Sequence, residues 1–401
     1  MLSEANPLRV EIADRDGRYD RQELITWWDQ DRLASARVIV VGAGALGNEL
    51  IKNLALLGVG TVLVIDLDAI ENSNLSRCVL FREADEGRFK AEVVADAAKA
   101  LNPEVNVIPV VGDVRTSLGL QAFAAADVVL GGLDNREARL HVNQACWKTG
   151  TPWVDGAIEG LLGVARTFLP PDSACYECTL SEQDYKVLSA RKACSLLERD
   201  DMIAGKVPTT ATSASVVAGV QAQEAVKLLH RDRLEYSFSG RGFVFNGLTH
   251  DSYTVTYPRK GECMAHDTYD LAAGLRQPAQ TPFRALLREA EERLGEPAVL
   301  EFEYDVVLGM SCDACATEET VNRPAVSLSA SDALCPACGA ERAVSACHSV
   351  TPADAELLDL SAVDLGLPPN DVITARAGLD RIHFTLVTPG AAWEEFLPDV
   401  G

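Results

Sequence analysis

Apolar residues along the first 267 positions follow two rhythms. Short unbroken runs such as Val38–Val41 and "TVLVID" (Thr61–Asp66) read as strands buried on both faces. Between them, apolar positions recur at helical spacing. Leu46, Leu50, Ile51, Leu54 and Leu57 share one face of a helix over 44–57, and Gly58 ends it. The pattern predicts strands at 37–41, 61–66, 105–111 and 127–131. It predicts helices at 44–57, near 88–101, at 135–148 and over 212–230, and a β-rich stretch at 236–257. Residues 1–35, with the pair Trp27-Trp28, read as a polar, helical lead-in. Strands alternating with helices imply a Rossmann-like, doubly wound α/β fold around a mostly parallel sheet.

The rhythm changes near residue 267. An amphipathic helix (Pro282–Leu294), a strand (Val299–Leu308), a cysteine-rich insert and a closing strand (Arg381–Val387) follow. This divides the chain into residues 1–267 and a smaller α+β domain, 268–401, that contains a zinc ribbon.

Composition narrows the function classes. With 59 acidic and 36 basic residues the net charge is -23, the wrong sign for a general nucleic-acid binder. No apolar run reaches the ~18 residues a membrane helix needs. The N-terminus has no secretory pattern, so a cytoplasmic protein is expected. Six of the 11 cysteines fall in C-x-x-C pairs, which favours metal over disulfides in a chain without an export signal.

The first strand runs into Gly42-Ala43-Gly44-Ala45-Leu46-Gly47, a G-x-G-x-x-G turn opening a helix. Gly42, Gly44 and Gly47 let backbone N–H groups approach phosphate at a helix N-terminus. Asp66, nineteen residues past Gly47, ends the second strand where a carboxylate can accept from ribose hydroxyls. That much suits an NAD enzyme equally well. Asn74 and Arg77 after the second strand, Lys90 at the next helix start, and Asp134 and Asn135 after the fourth strand change the balance. All sit at the carboxyl edge of a parallel sheet. Two cations and a carboxylate there suit a triphosphate with Mg²⁺ rather than the pyrophosphate of NAD.

These strings resemble a known family. "RYDRQ" (Arg18–Gln22), "VGAGALGNE", "DLDAIENSNLSR", "FKAE", "LDNREAR", "CYEC" and "GVQAQEAVK" are similar, in order and spacing, to the ubiquitin-activating and sulfur-carrier adenylyltransferase superfamily. The resemblance covers residues 18–270. Two positions depart from its usual pattern, Ala45 in the glycine turn and Cys78 after the arginine, and neither removes a charge. The resemblance implies that ATP and Mg²⁺ are used. Asp66, Asp68 and Asn135 would serve the nucleotide, with Asp66 at the ribose and Asn74, Arg77 and Lys90 at the phosphates. Asp134 would bind Mg²⁺, and Arg21 would reach across a homodimer to the partner's triphosphate. The substrate would be a ubiquitin-like protein whose C-terminal glycine carboxylate attacks the α-phosphorus of ATP.

Two structural zinc sites are expected. The spacing of Cys312, Cys315, Cys335 and Cys338, C-x₂-C-x₁₉-C-x₂-C, is that of a zinc ribbon. Its inter-pair segment carries one basic residue, so nucleic-acid binding is not expected. Cys175 and Cys178 form a knuckle that relatives complete with a second C-x-x-C. Here "CMAH" offers Cys263 and His266 instead. Cys78, Cys146 and Cys347 read as packing residues. Cys194 lies in the crossover segment 179–207, where relatives with a catalytic cysteine carry it. The nearby Arg191 and Lys192 favour its thiolate.

Three functions stay open. The enzyme adenylates a ubiquitin-like protein and takes it as a thioester on Cys194, for transfer to a conjugating-enzyme partner docked on the C-terminal domain. Alternatively it stops at the acyl-adenylate of a sulfur-carrier protein. From a different class, it is a nucleotide-binding regulator or an NAD oxidoreductase.

Overall fold

The computed structural model describes residues 17–181, 208–232, 239–295 and 297–398. The first layer is an eight-stranded sheet with the order β3-β2-β1-β4-β5-β6-β7-β8. Its strands are β1 (Arg37–Val41), β2 (Thr61–Asp66), β3 (Asn106–Val111), β4 (Val128–Gly131), β5 (Trp153–Glu159), β6 (Leu162–Phe168), β7 (Arg241–Asn246) and β8 (Asp251–Thr256). The five strands β3-β2-β1-β4-β5 pair in parallel, with Val38 opposite Val62 on one side and Val128 on the other. The three strands β6 to β8 continue the sheet antiparallel.

The lead-in is two short helices, α1 (Asp20–Glu23) and α2 (Gln30–Ser35), rather than one run. The main helices are α3 (Ala45–Leu57), α4 (Lys90–Leu101), α7 (Arg136–Thr149) and α8 (Ala211–Leu229). Helices α3, α4 and α8 bury Leu50, Leu54, Val94 and Val217 in a core with one face of the sheet. The other face is covered by α7 together with the short α5 (Val114–Ser117) and α6 (Leu120–Ala125), through Val114, Phe123, Val142 and Trp147. Asp29 caps α2, and His230 at the end of α8 accepts a hydrogen bond from the Asp29 amide at 3.0 Å.

The second sheet contains β9 (Leu275–Pro278), β10 (Val299–Cys312), β11 (Thr317–Pro324), β12 (Ala343–Val350), β13 (Val372–Ala377) and β14 (Asp380–Val387). Helix α9 (Phe283–Leu294) buries Phe283, Leu286, Leu287 and Ala290 against it. Strand β10 runs four residues beyond the expected Leu308. Its first residues pair with β13 and its last with β11, so the cysteine-rich hairpin is an outgrowth of the sheet.

The two sheets meet across a buried polar seam. Asp371, just before β13, accepts from the Leu120 amide at 3.0 Å and from the Tyr304 hydroxyl at 3.2 Å. His141 of α7 stacks on Tyr304, 6.0 Å between ring centroids, and Lys148 pairs with Glu303. Beyond β14 the chain returns to the first layer, where Trp393 Nε1 donates to the Ser117 carbonyl at 3.0 Å. Among the described residues no helix is long and apolar enough to cross a membrane.

Candidate active site

The β1–α3 turn brings two backbones into contact. Gly42 has φ +96°, and a Cβ there would lie 2.7 Å from the Gly132 carbonyl oxygen. A Cβ on Gly47 would lie 1.9 Å from the Gly42 carbonyl oxygen, so only glycine closes this turn. The Gly42 amide donates to Ile65 O and the Ala43 amide to Asp66 Oδ2. The amides left to face an anion here are those of the first turn of α3, which have no partner within their own helix.

Around this turn opens a cleft of about 760 Å³ at the carboxyl edge of the parallel strands. Gly42, Gly44, Asp66, Asp68, Asn74, Arg77, Lys90, Asp134 and Asn135 all line it. Gly47 sits beneath, packed on Gly42. Lys90 is the first residue of α4, and its ammonium is 2.6 Å from Asp68 Oδ2. Burial pulls the Lys90 pKa down, but the Asp66 charge and the Asp68 hydrogen bond outweigh it, so it stands above its ordinary value. Burial raises Asp66 despite Lys90 and the Ala43 and Asp68 amides, which both donate to it. Arg77 donates to Ser73 O at 2.8 Å, and Asn135 caps α7 by accepting from the Ala138 amide at 2.7 Å. Asp134 stands exposed at the mouth.

Arg21 is not in this cleft. It is exposed on α1, whose neighbours Arg18 and Tyr19 bond to Leu101 O and Glu104. Those partners lie at the far end of α4, about 16 Å from Lys90 at 1.5 Å per residue. Cys194 lies outside the described residues. Burial pushes the Cys78 thiol up to about 11, which fits a packing role, and Cys146 is likewise buried.

The sequence reading missed a second charged set in the cleft. Asp155 of β5 is fully buried and holds Arg139 Nε at 3.0 Å and Arg166 Nη2 at 2.6 Å. The Arg166 guanidinium lies 5.1 Å from the centre of the Tyr176 ring. A lone acid inside the apolar run "PWVDGA" was the available signal, together with the last arginine of "LDNREAR".

Two groups gather, one of three cysteines and a histidine and one of four cysteines, at the positions expected. Cys175 Sγ lies 3.7 Å from Cys178 Sγ and 3.6 Å from Cys263 Sγ, and Cys178 Sγ lies 3.4 Å from His266 Nε2. In the ribbon, Cys312 to Cys338 and Cys315 to Cys335 are both 3.5 Å, and Cys338 to Cys315 is 3.8 Å. Thiolates at about 2.3 Å from a tetrahedral zinc stand about 3.7 Å apart, so both groups could hold that ion. All four ligands of each group lie within 4.8 Å of one another.

Comparison with known proteins shows the family and the fold. A family model described as the ThiF family matches residues 19–265. The SAMP-activating enzyme E1 of Haloferax volcanii is 36% identical over 256 residues, which are 62% of this chain and 87% of that protein. The SUMO-activating enzyme subunit 2 of Dictyostelium discoideum is 38% identical over 149 residues, 37% of this chain and 22% of that one. The fold is shared with a crystal structure of E. coli MccB with ATP. That likeness has a TM-score of 0.52 at 24% identity and covers 63% of this chain and 75% of the other.

Proposed function

The chain belongs to the ThiF family, and from that premise we propose a two-step activation of a ubiquitin-like protein. In the first step the C-terminal glycine carboxylate of that protein attacks the α-phosphorus of ATP. An acyl-adenylate forms and pyrophosphate leaves. In the second, the Cys194 thiolate attacks the acyl carbonyl and AMP leaves, giving a thioester that a conjugating-enzyme partner then receives. The chain is an activating enzyme of the adenylyltransferase type, as its relatives are named.

The observation that carries the reading is the gathering of Asp66, Asn74, Arg77, Lys90 and Asp134 around one cleft. Asp66 receives the ribose. Lys90 and Arg77 neutralise phosphate charge that grows as pyrophosphate departs. Mg²⁺ held by Asp134 would add charge neutralisation at the same place. Catalysis of this kind is mainly alignment of two bound reagents. Leu162 at the cleft wall and Leu248 on the β7–β8 turn are 46% and 74% exposed. They offer an apolar platform for the body of the protein substrate.

The remote position of Arg21 supports a homodimer in which it serves the partner's triphosphate. Residues 1–267 form the catalytic unit, residues 268–401 dock the conjugating enzyme, and the enzyme works in the cytoplasm. The test is ATP–pyrophosphate exchange driven by a glycine-ended ubiquitin-like protein. Asp134→Ala should abolish it without unfolding the chain. Cys194→Ala should keep exchange and lose a reducing-agent-sensitive adduct with the substrate. Exchange without any adduct in the wild type would replace this reading by one that stops at the acyl-adenylate.

A further inference from the structure

The two metal-type groups differ in access. In the Cys₃His group Cys175 is fully buried and Cys178 is 4% exposed. Trp147 stacks on the His266 ring at 5.1 Å, and the Lys260 amide donates to Cys178 Sγ at 3.3 Å. Cys263 is the one cysteine of that group left half-buried.

The ribbon group is built the other way. Each of its two knuckles has one buried and one exposed cysteine. Cys312 and Cys335 are 1% and 2% exposed, whereas Cys315 and Cys338 both stand in the open. Each of the open pair is followed by a residue in the left-handed region, Ala316 at φ +53° and Gly339 at φ +73°. Both sulfurs therefore ride on tight turns, 3.8 Å from one another. The nearest apolar cluster, Val307, Met310 and Leu328, lies back along the hairpin and does not include them.

We propose that Cys315 and Cys338 form an oxidant-sensitive pair, through which a hydroperoxide discharges the ribbon zinc while the Cys₃His zinc stays bound. Oxidation of cysteine follows exposure, and here two exposed sulfurs are already neighbours. One thiolate of the pair attacks a peroxide oxygen. The O–O bond breaks, hydroxide leaves, and a sulfenic acid forms. The second thiolate attacks the sulfenic sulfur. An S–S bond forms, the S–O bond breaks, and a second hydroxide leaves. Two protons from solvent turn both hydroxides into water. The peroxide has gained two electrons and the sulfurs have lost one each. The S–S distance must shorten to ~2.05 Å, a movement the two turns can supply. Only Cys312 and Cys335 then remain as ligands, too few for a structural zinc. The hairpin itself is held by the pairing of β10 with β11 and β12 and by the Arg342–Glu319 ion pair. Discharge therefore remodels residues 312–317 and 335–342 and leaves the sheet in place.

The experiment treats the zinc-loaded full chain with hydrogen peroxide beside a chromophoric zinc indicator. One zinc per chain should appear at least about fivefold faster than the other. Non-reducing peptide mapping should find a Cys315–Cys338 disulfide, with Cys175, Cys178 and Cys263 still alkylated after denaturation. A thiol reductant with added zinc should reverse the change. Hydrogen exchange should rise in 312–317 and 335–342 and stay unchanged in 299–307. Cys338→His keeps a Cys₃His ligand set but removes the second sulfur of the pair. It should release its ribbon zinc at least about fivefold more slowly than the wild type. If that variant does not retain zinc, Cys315→His makes the same comparison, and if neither does, release and mapping in the wild type decide. Equal release from both sites would overturn the proposal. So would a first disulfide that leaves out Cys315 or Cys338, a ribbon without zinc in protein purified without chelator, or a zinc-retaining histidine variant discharged as fast as the wild type.

Discussion

Lys90 Nζ and Asp68 Oδ2 lie 2.6 Å apart across the mouth of the cleft, so the cation assigned to phosphate already has a carboxylate partner. The Lys90 side chain is 11% exposed and that of Asp68 55%. A triphosphate must take the ammonium from a half-solvated competitor. Such a pair is worth about 1 kcal/mol or less. Asp68→Asn should therefore tighten binding of a non-hydrolysable ATP analogue by up to about fivefold, while Lys90→Ala weakens it. Calorimetry decides the sign. Weaker binding in Asp68→Asn would mean that the carboxylate orients Lys90 rather than competing for it.

Lys90 opens α4, and Arg21 stands on α1, whose neighbours bond near the other end of α4. If Arg21 serves a partner's site, Arg21→Ala and Lys90→Ala chains should each be nearly inactive alone. Mixed at equal concentration they should recover activity at about a quarter of the sites, because half the dimers are mixed and each has one intact site. No recovery in a dimer shown to be mixed by mass would place Arg21 outside catalysis.

Asp155 holds two nearly buried guanidinium groups with no solvent access of its own. Burial pulls the Arg139 pKa down, and the Asp155 charge raises it above its usual value. Asp155→Ala leaves both cations uncompensated and should cost about 3–5 kcal/mol in urea unfolding. A loss below about 1 kcal/mol would show that water reaches the arginines.

Asp371 makes the seam between the sheets pH-sensitive. Burial pushes its carboxyl up to about 7 against the pull of the Leu120 amide, and the Glu303 charge adds to the rise. A folded-state pKa above the unfolded one stabilises the fold fully below the unfolded value of about 4, and that contribution is lost as pH rises through 7. Between pH 4 and 7.5 the wild type should lose stability relative to Asp371→Asn. The loss should reach a few kcal/mol, because each tenfold difference in proton affinity between the folded and unfolded chain is worth ~1.4 kcal/mol. Parallel urea midpoints for the two proteins across that range would refute this.

The metal sites should be independent. Elemental analysis is expected to give two zinc ions per chain, and Cys312→Ser should lose one while adenylation stays measurable. Loss of both ions together, or none in protein purified without chelator, would contradict the tetrahedral groupings.

The parallel half of the sheet was legible because β1, β2 and β4 are buried on both faces and read as unbroken apolar runs. That Asp66, Asn74, Arg77, Asp134 and Asn135 share one cleft was legible because each ends or closely follows one of those strands, and Lys90 joins them because it opens the next helix. Strands β5 and β6 were not, since Gly156, Gly160 and Gly163 break the runs. A Cβ at Gly156 would meet Gln221 Oε1 at 2.3 Å, so packing of α8 against the sheet requires that break. Strands β9, β11 and β12 are short, half-exposed or rich in charge, and their pairing depends on long-range register that no local pattern carries. The Arg139–Asp155–Arg166 set is assembled from α7, β5 and β6, so sequence distance hid it. The role proposed for Arg21 rests on resemblance and on its distance from this cleft, and that of Cys194 on resemblance and its basic neighbours in sequence.

The Cys₃His group also has a history in time. Cys178 leaves the ribosome 85 residues before Cys263. At ~5–20 residues per second the half-site waits several seconds for its second half. In that interval the crossover segment, α8 and the β7–β8 hairpin must all be made. The Gly42–Gly47 turn and its parallel strands can settle first, whereas the wall carrying Tyr176 waits for residues 263 and 266. A nascent chain thus completes the Gly42–Gly47 turn well before the Cys175–Cys178 knuckle meets its second half.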